Sequence, residues 1–269
     1  MDPVEGAQTF LTSGSAYDAF MGRYSRPLAS AFADSVGLRL GTGHSALDVG
    51  CGPGALTGVL IDRLGMGSVS AIDPSAPFVE ECAARFPGID VRLGRAEAIP
   101  FADHQFDFAL AQLVLHFVGD PEKAASELLR VLRPGGVVAA CVWDFADEME
   151  MLRLFWDCAL EVDTNAPDEA RKLRFGGEGE IADLLERSGF SEISKTTLHV
   201  TSAYETFDVL WQGFLAGIGP AGVFCLSLTN DQRASVRHEM FKRLGSPSGV
   251  FTLGATARSA SGRSPGTRS

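Results

Sequence analysis

The stretch Leu47-Asp48-Val49-Gly50-Cys51-Gly52-Pro53-Gly54 joins an apolar run of strand length to a helical pattern through three closely spaced glycines. Glycine reaches positive φ angles and lets a ligand approach the backbone, so such a turn after a strand forms a cradle for a nucleotide-type ligand. The spacing differs from the dinucleotide fingerprint Gly-x-Gly-x-x-Gly, because the third glycine comes one residue earlier. Asp48 lies two residues before the first glycine, and an acid there favours a ligand that carries positive charge.

Outward from this stretch, short apolar runs alternate with amphipathic stretches of ten or more residues. The predicted strands lie at about 45–50, 68–73, 89–93, 106–113 and 136–143, and the predicted helices at about 54–64, 76–86 and 121–132. Asp120 and Pro121 give the last of these helices an N-cap and an early proline. Alternation of this kind is typical of a parallel sheet with crossover helices. We therefore predict an α/β fold with a doubly wound, mainly parallel sheet.

The segments on either side of this alternation are less regular. Before it, Ser25 and Pro27 have the signature of a helix start. After it, the pattern predicts helices at 147–162 and 180–188, a strand-rich run at 190–200, helices at 204–217 and 230–244, and a last strand at 250–255, which brings the sheet to seven strands. The predicted organisation is an N-terminal helical cover at 1–44, a ligand-binding core at 45–200, a helical lid inserted at 201–248, the final strand of the core at 249–258, and a solvated or disordered tail at 259–269.

A second acidic residue closes the next predicted strand. Asp73, in Ala71-Ile72-Asp73-Pro74, comes 19 residues after Gly54. A carboxylate at this place accepts hydrogen bonds from both hydroxyls of a ribose in dinucleotide-binding folds. Taken alone, Asp73 also suits an N-cap before Ser75. The turn and the acid together favour a nucleoside-containing ligand.

The composition narrows the classes of partner. The chain has 269 residues, of which 45% are apolar, and a formal net charge of -11, so it has enough apolar sequence for a large core and repels nucleic acids and anionic membranes. The five cysteines form no Cys-x-x-Cys pair. The sequence predicts no cluster of metal ligands and no requirement for a metal in the reaction. The first residues lack the basic and apolar runs of a secretory signal, which favours a cytoplasmic location.

Residues 209–228 carry no charge, and their length is that of a membrane span. Four glycines and Pro220 interrupt the run, and Gly-Pro-Ala-Gly at 219–222 is typical of a turn between two short helices. A buried helix pair and an apolar lid over a substrate pocket are the alternatives to a membrane span. No stable membrane insertion is expected.

Four motifs follow one another in a characteristic order: LDVGCGPG at 47–54, AIDPS at 71–75, GRAEAIPF at 94–101 with FDFALAQLVLHFV at 106–118, and VLRPGG at 131–136. In this order and spacing they resemble the class I S-adenosylmethionine-dependent methyltransferases, specifically the small-molecule group that includes the ubiquinone and menaquinone C-methyltransferases. The resemblance covers residues 45–143, and residues 17–29 resemble the helical cover of part of this group. It implies a Rossmann-like methyltransferase fold, S-adenosyl-L-methionine as cofactor and S-adenosyl-L-homocysteine as product.

The resemblance also implies a set of cofactor contacts. Gly50, Gly52 and Gly54 would shape the turn under the methionine part with Asp48 in support, Asp73 would hold the ribose, Pro74 and Ser75 would lie near the adenine, Ala96 and Glu97 would line the adenine edge, and Gln112 and Leu113 would flank the methionine part. Arg95 stands where the group often has an acid that accepts from the adenine amino group. That contact is therefore not carried over to this chain.

Aromatic and titratable residues outside these motifs suggest the rest of the site. Tyr17, Met21 and Tyr24 share one helical face, which either packs the N-terminal helix or forms a wall near the sulfonium. His116 follows the fourth strand, where its imidazole suits either a general base or a structural role. Trp143 ends the fifth strand and is interpreted as a pocket wall.

The predicted lid supplies the remaining pocket residues. Trp211, Phe214 and Leu215 make it strongly apolar. We therefore expect a small apolar or aromatic acceptor, methylated on an oxygen, carbon or nitrogen atom by in-line displacement. A pocket lined by charged side chains would count against this expectation.

Three other functions compete with methyl transfer to a small molecule. A nicotinamide-dependent oxidoreductase would need the dinucleotide glycine spacing and a Tyr-x-x-x-Lys pair, and a nucleic-acid methyltransferase would need Asn/Asp-Pro-Pro-aromatic after the fourth strand, where this chain has Gln112-Leu113-Val114-Leu115. A cofactor-binding module without turnover remains an alternative. The sequence does not predict the oligomeric state.

Overall fold

A seven-stranded sheet forms the centre of the computed structural model, which describes residues 18–41 and 43–266. The strands are β1 (Ala46–Val49), β2 (Val69–Asp73), β3 (Asp90–Leu93), β4 (Phe106–Gln112), β5 (Leu132–Trp143), β6 (Ser191–Tyr204) and β7 (Phe251–Arg263). Their order across the sheet is β3-β2-β1-β4-β5-β7-β6. The first five strands run parallel, while β7 is antiparallel to both β5 and β6. The predicted α/β fold with a mainly parallel seven-stranded sheet is confirmed.

Helices cover both faces of this sheet. They are α1 (Arg23–Ser35), α2 (Ala55–Leu64), α3 (Ala76–Arg85), α4 (Pro121–Val131), α5 (Glu150–Val162), α6 (Glu169–Lys172), α7 (Glu180–Arg187), α8 (Phe207–Leu215), α9 (Gly219–Ser227) and α10 (Asn230–Arg243). The start of α4 is as predicted, because the Asp120 side chain accepts from Lys123 N at 3.0 Å. The predicted start of α1 at Ser25 is wrong. A π-helical turn at Asp18–Gly22 leads directly into α1, so Pro27 lies inside the helix.

The sheet changes direction of growth at β1, which pairs with β2 on one side and with β4 on the other. All four residues of β1 are buried, as expected of a central parallel strand covered on both faces. In such sheets ligands bind outside the carboxyl ends of the strands at this reversal. The carboxyl end of β1 is the glycine turn.

The predicted boundary between final strand and tail is wrong. Strand β7 runs to Arg263 and pairs with β5 from Val137 to Trp143, so residues 259–263 are part of the sheet. Its sequence resembles a tail because many of its residues are small, and small residues fit a strand that lies between two neighbours. Strand β6 likewise extends to Tyr204, four residues into the predicted lid. Residues 267–269 lie outside the described part of the chain.

Arg258, the last residue of the predicted final strand, is paired with a buried carboxylate. Its Nη2 lies 2.6 Å from Asp144 Oδ2, and the Asp144 side chain is almost fully buried. Removing one partner of such a pair leaves an uncompensated charge, although the partial exposure of Arg258 moderates the loss. Arg258→Met is expected to lower the free energy of unfolding by about 2 kcal/mol, measured by urea denaturation.

The matched control for this prediction is Arg263→Met on the same strand. Arg263 pairs with the mostly exposed Glu192, and exposed pairs contribute at most about 1 kcal/mol. Equal losses in the two variants would contradict the assigned role of Arg258.

The uncharged segment of the sequence forms α8 and α9, which are bent by 85° at the break between them. Among the described residues, no single helix has the length and apolar character to cross a bilayer, and this bent pair meets those criteria only when its two helices are taken together. Leu210 and Phe214 on α8 and Ala221 and Cys225 on α9 are buried in the apolar core.

Candidate active site

The glycine turn is held by the neighbouring strand. The backbone N–H groups of Gly50 and Cys51 both donate to Ile72 O of β2, at 2.8 and 2.9 Å. Gly50, Gly52 and Gly54 have φ angles of +74°, +53° and +96°, which are favourable only for glycine. The three-glycine pattern is therefore required by the path of the backbone.

The three glycines differ in what surrounds them. A Cβ atom on Gly50 would overlap Val114 Cγ2, and one on Gly54 would lie 2.6 Å from the Phe86 ring, whereas one on Gly52 would meet nothing within 4 Å. Gly50 and Gly54 are thus packed against protein, and Gly52 faces open space. That space is where a ligand can approach the turn.

Asp73, at the carboxyl end of β2, braces this turn. Its Oδ2 accepts from Gly52 N and its Oδ1 accepts from Ser75 N, both at 2.8 Å. Burial raises the pKa of this carboxyl to about 6. Each carboxylate oxygen keeps a further lone pair for a ligand hydroxyl. The alternative role of Asp73 at the start of α3 is realised at the same time, through its bond to Ser75 N.

Asp48 lies behind the turn. Its side chain is 1% exposed, and its Oδ2 accepts from the Thr57 hydroxyl of α2 at 2.6 Å. Burial raises the pKa of Asp48 to about 7, and the nearby negative charge of Asp73 adds to this. Asp48 therefore joins the turn to α2 through this hydrogen bond.

Two polar atoms near the turn are buried with no hydrogen-bond partner in the described part of the chain, Gln112 Oε1 and Ser75 Oγ. The Gln112 amide is oriented by its Nε2, which donates to Ser25 O of α1 at 2.9 Å. Buried polar atoms are nearly always hydrogen-bonded in folded proteins, so unpaired ones mark places for a ligand. Together with Asp73 and the open face of Gly52, they fit a ligand with hydroxyl and amino groups such as S-adenosylmethionine.

The residues predicted for the adenine edge follow β3. Glu97 Oε1 accepts from Gly119 N at 3.0 Å and pairs with Arg95 Nη2 at 3.4 Å. Ala96 is buried beside them. Arg95 is therefore the ion-pair partner of Glu97, and the part that Ala96, Glu97 and Pro74 play toward an adenine stays a prediction.

A cavity of about 40 Å³ lies next to the end of β4, which is room for a few water-sized groups. Its walls come from the N-terminal segment, the ends of β4 and β5, and α5, α6 and α9, and are formed by Phe20, Met21, Leu113, His116, Phe117, Trp143, Phe145, Leu152, Glu169 and residues 218–221. The Leu113 backbone has a φ of +62°, a strained value for leucine, while its N–H donates to Cys141 O at 2.8 Å. This strained residue turns the chain between Gln112 and the cavity.

His116 is one of the polar residues in the cavity wall. It lies in a single turn at Leu115–Phe117 and is 4% exposed, and its Nδ1 has no partner in the described part of the chain. Burial lowers the pKa of the imidazole to about 3. The ring is therefore neutral at physiological pH, with one nitrogen free to accept a hydrogen bond. Trp143 Nε1 is likewise buried without a partner.

Several predicted pocket residues lie elsewhere. Trp211, Phe214 and Leu215 do not line this cavity, because α8 turns its apolar side to the core, where Phe214 stacks on Phe155 with ring centroids 4.5 Å apart. The cavity wall comes instead from residues 218–221, at the bend into α9. Tyr24 is fully buried, and its hydroxyl oxygen accepts from the Tyr204 hydroxyl at 3.1 Å.

The helical face that was predicted to meet the cofactor is thus divided. Tyr24 packs the core and Met21 lines the cavity. Tyr17 lies outside the described residues.

Glu169, which sequence reasoning missed, is the only acidic residue in the cavity wall among the described residues. It is 5% exposed, and its Oε2 accepts from Trp156 Nε1 at 2.8 Å. Burial raises the pKa of its carboxyl to about 7. The N-cap at Asp168 places Glu169 at the start of the short helix α6. Nothing in the local sequence pattern, however, indicates that the Glu169 side chain turns inward.

Within residues 18–41 and 43–266 no group of three or more His, Cys, Asp or Glu side chains is placed to hold a metal ion. The five cysteines are free and buried. Cys51 of the glycine turn donates its thiol hydrogen to Cys82 on α3, which raises the pKa of Cys51 and lowers that of Cys82.

Asp48 makes the stability of the unliganded protein depend on pH. Between pH 3.8 and about 7 its carboxyl is protonated in the folded state and ionised in the unfolded state. Stability is therefore gained as pH falls through this range and lost as pH rises through 7. We expect the free energy of unfolding to fall between pH 6 and pH 7, by up to about 1.4 kcal/mol for each such group, and to level off toward pH 8.

Urea denaturation at pH 6, 7 and 8 measures this slope. Asp48→Asn should reduce this slope, leaving the part that comes from Asp73 and Glu169, while keeping an oxygen that accepts from Thr57. His116 opposes the trend only below about pH 6.5, where the unfolded histidine protonates. The same slope in the variant would contradict the buried, protonated state of Asp48.

Comparison with known proteins agrees with this geometry. Residues 47–140 match the family model described as "Methyltransferase domain". These residues form a methyltransferase domain. The resemblance inferred from the four motifs is thereby confirmed, since the matched segment contains all of them.

Two curated relatives are named as methyltransferases. Malonyl-[acyl-carrier protein] O-methyltransferase of Salmonella typhimurium is 43% identical over 96 residues, covering 35% of this chain and 37% of that protein. Demethylmenaquinone methyltransferase of Renibacterium salmoninarum is 39% identical over 94 residues, covering 35% of this chain and 39% of that protein. The matched segment therefore spans under two fifths of each relative.

Solved structures share the fold over most of the chain. Phosphoethanolamine N-methyltransferase 2 of Haemonchus contortus, in complex with phosphomonomethylethanolamine and S-adenosylhomocysteine, has a TM-score of 0.56 at 14% identity, covering 94% of this chain and 57% of that one. The [4+2]-cyclase SpnF has a TM-score of 0.51 at 20% identity, covering 90% and 81%. Proteins named for different reactions thus share this fold.

Proposed function

We propose that this chain binds S-adenosylmethionine at the glycine turn and transfers its methyl group to a small, largely apolar or aromatic acceptor in the adjacent cavity. One observation carries the proposal. Gln112, whose buried Oε1 has no partner among residues 18–41 and 43–266, and the cavity-lining Leu113 are consecutive residues at the end of β4, so the cofactor place and the cavity adjoin.

Named residues would hold the cofactor. Asp73 would accept hydrogen bonds from the ribose hydroxyls. Gln112 Oε1 would accept one from the amino group of the methionine part, which would lie over the open face of Gly52. Asp48, which accepts from the Thr57 hydroxyl of α2, would support the turn from behind. When bound, S-adenosylmethionine supplies an electrophilic methyl group on a sulfonium.

The cavity residues would bind the acceptor and align it with the methyl group. The apolar walls exclude water, and a dry pocket that aligns two reactants lowers the barrier by several kcal/mol, on the order of what proximity effects provide. His116, neutral because burial lowers its pKa to about 3, would accept a hydrogen bond at Nδ1 and so orient the acceptor. Because its pKa is low, His116 is a weak base. This favours a role in orienting the acceptor over a role in removing a proton from it.

Admission of an acceptor would require the cavity to widen. Its wall includes Gly219, and both Gly217 and Gly219, at the bend between α8 and α9, have positive φ angles of +70° and +64°. This bend is the natural place for α9 to move, because glycine changes conformation at little cost. The helical insertion would in this way act as the lid.

We further propose a cytoplasmic enzyme that acts on a small molecule and not on nucleic acid. The net charge of -11 supports this, because it disfavours polyanionic partners. The alternative of a cofactor-binding module without methyl transfer is favoured by one finding, the [4+2]-cyclase that shares the fold.

Calorimetry followed by a turnover assay tests the proposal. Binding of S-adenosylmethionine and S-adenosylhomocysteine is titrated first, and release of S-adenosylhomocysteine is then followed against a panel of small aromatic amines, phenols and quinols. Acceptor-dependent release supports the methyltransferase. Binding without release over the whole panel favours the non-catalytic module, and failure to bind either nucleoside at millimolar concentration overturns the proposal.

A further inference from the structure

Glu169 is a buried acid in an apolar cavity, with a single hydrogen-bond donor among the described residues. That donor is Trp156 Nε1, which binds Oε2. A buried carboxylate is unfavourable unless it is neutralised or fully hydrogen-bonded. The Glu169 carboxyl forms part of the cavity wall, so a ligand in the cavity can reach it.

The charges around Glu169 compensate it only in part, because Arg153, whose positive charge acts on it, is paired with other carboxylates. Arg153 on α5 is directed to Asp168, with its Nη1 and Nη2 at 3.2 and 2.9 Å from the two carboxylate oxygens, and to Asp157. Arg171 lies 4.0 Å from the same Asp168 carboxylate. His116, the other titratable group in the cavity wall, is neutral. The local balance therefore favours a cation in the cavity.

The remaining walls suit such a cation. Phe20, Phe117, Trp143 and Phe145 present four aromatic side chains to the cavity. Aromatic faces attract an ammonium group, most strongly where water is excluded. A carboxylate combined with aromatic rings is thus a recognition site for an organic amine.

We infer that the acceptor carries a protonated amino group, which Glu169 binds inside the aromatic cavity. The identification of this ligand as the methyl acceptor rests on the proposed function, whereas the amine site itself does not. Glu169 is here a specificity-determining residue. The methylated atom would then lie toward Leu113, which follows Gln112, where the cofactor is proposed to bind.

Three probes of similar size and different charge test the inference: benzylamine, benzyl alcohol and benzoate. Each is titrated into the protein saturated with S-adenosylhomocysteine, and binding is followed by the fluorescence of the tryptophans, of which Trp143 lines the cavity. Benzylamine is expected to bind at least about 10-fold more tightly than benzyl alcohol, as charged hydrogen bonds exceed neutral ones, and benzoate more weakly still. Equal binding of the three probes, or no binding of benzylamine, overturns the inference.

Glu169→Gln keeps an oxygen that accepts from Trp156 and removes the charge. We expect the preference for benzylamine over benzyl alcohol to fall to within about threefold, with affinity for S-adenosylhomocysteine unchanged. Glu161→Gln is the matched control, because Glu161 lies on α5 outside the cavity wall and pairs with Arg243 at the surface. An unchanged preference in Glu169→Gln contradicts the assignment.

The wild-type protein supplies a test that requires no variant. Because burial raises the pKa of Glu169 to about 7, the affinity for benzylamine should decrease as pH falls from 8 to 6. Calorimetry at pH 7 in two buffers of different ionisation enthalpy should also show proton release on binding, as Glu169 ionises. Constant affinity over this pH range without proton release would exclude Glu169 as the partner of the amine. If S-adenosylhomocysteine itself does not bind, the proposed function fails, and the probe series on the free protein still decides on the amine site.

Discussion

Replacing Asp73 by alanine is expected to weaken the binding of S-adenosylmethionine and S-adenosylhomocysteine at least about 100-fold, close to 3 kcal/mol. Two losses combine in this variant. The ribose hydroxyls lose a charged acceptor, for which hydrogen bonds contribute about 1.5–3 kcal/mol each. The turn loses the bond from Gly52 N to Asp73 Oδ2, which is 2.8 Å long. Calorimetric titration of both nucleosides measures the effect.

Asp107→Ala is the matched control for this variant. Asp107 also braces the start of a neighbouring segment, because its Oδ2 accepts from Ser45 N at 2.7 Å, but it lies near the amino end of β4, away from the glycine turn. We expect Asp107→Ala to lower stability and to leave nucleoside affinity unchanged. A loss of less than about threefold in Asp73→Ala would show that the carboxylate braces the turn without meeting the ribose.

The central half of the fold was predictable because its signals are local. Short apolar runs separated by amphipathic stretches identify β1 to β5 and the helices between them, and Asp73 falls at the end of β2 as expected. The N-cap at Asp120 shows the same locality. Each of these features depends on residues within one strand or one helical turn.

The errors arose where tertiary contacts decide. The last five residues of strand β7, 259–263, have the composition of a tail, and their place in the sheet follows only from pairing with β5 and β6. Tyr24 has the helical spacing of a ligand-binding residue, yet its hydroxyl accepts a hydrogen bond from Tyr204, which is distant in sequence. Glu169 turns into the cavity because Trp156 donates to it. No local pattern encodes such long-range partners.

Gly50→Ala and Gly52→Ala are expected to fail in different ways, although the two glycines are two residues apart. In Gly50→Ala the added methyl group overlaps Val114 at a φ of +74°. Backbone strain of about 1–2 kcal/mol adds to an overpacking cost of about 1–3 kcal/mol, so we expect a loss of about 3 kcal/mol in the free energy of unfolding. In Gly52→Ala, where a Cβ meets nothing within 4 Å, only the strain of about 1 kcal/mol should appear.

The affinity for S-adenosylhomocysteine, corrected for the fraction of folded protein, should be reduced more in Gly52→Ala than in Gly50→Ala. The methyl group of Gly52→Ala projects into the open space over the turn, so we expect binding of S-adenosylhomocysteine to weaken at least about 10-fold, as for a lost close contact with the backbone. Gly41→Ala is the control, because Gly41 has a φ of +69° and an equally open surrounding outside the site. It should lose about the same stability as Gly52→Ala and retain full affinity. Undiminished binding by Gly52→Ala would mean that the ligand does not approach the turn, and would remove the main structural support for a cofactor at this edge of the sheet.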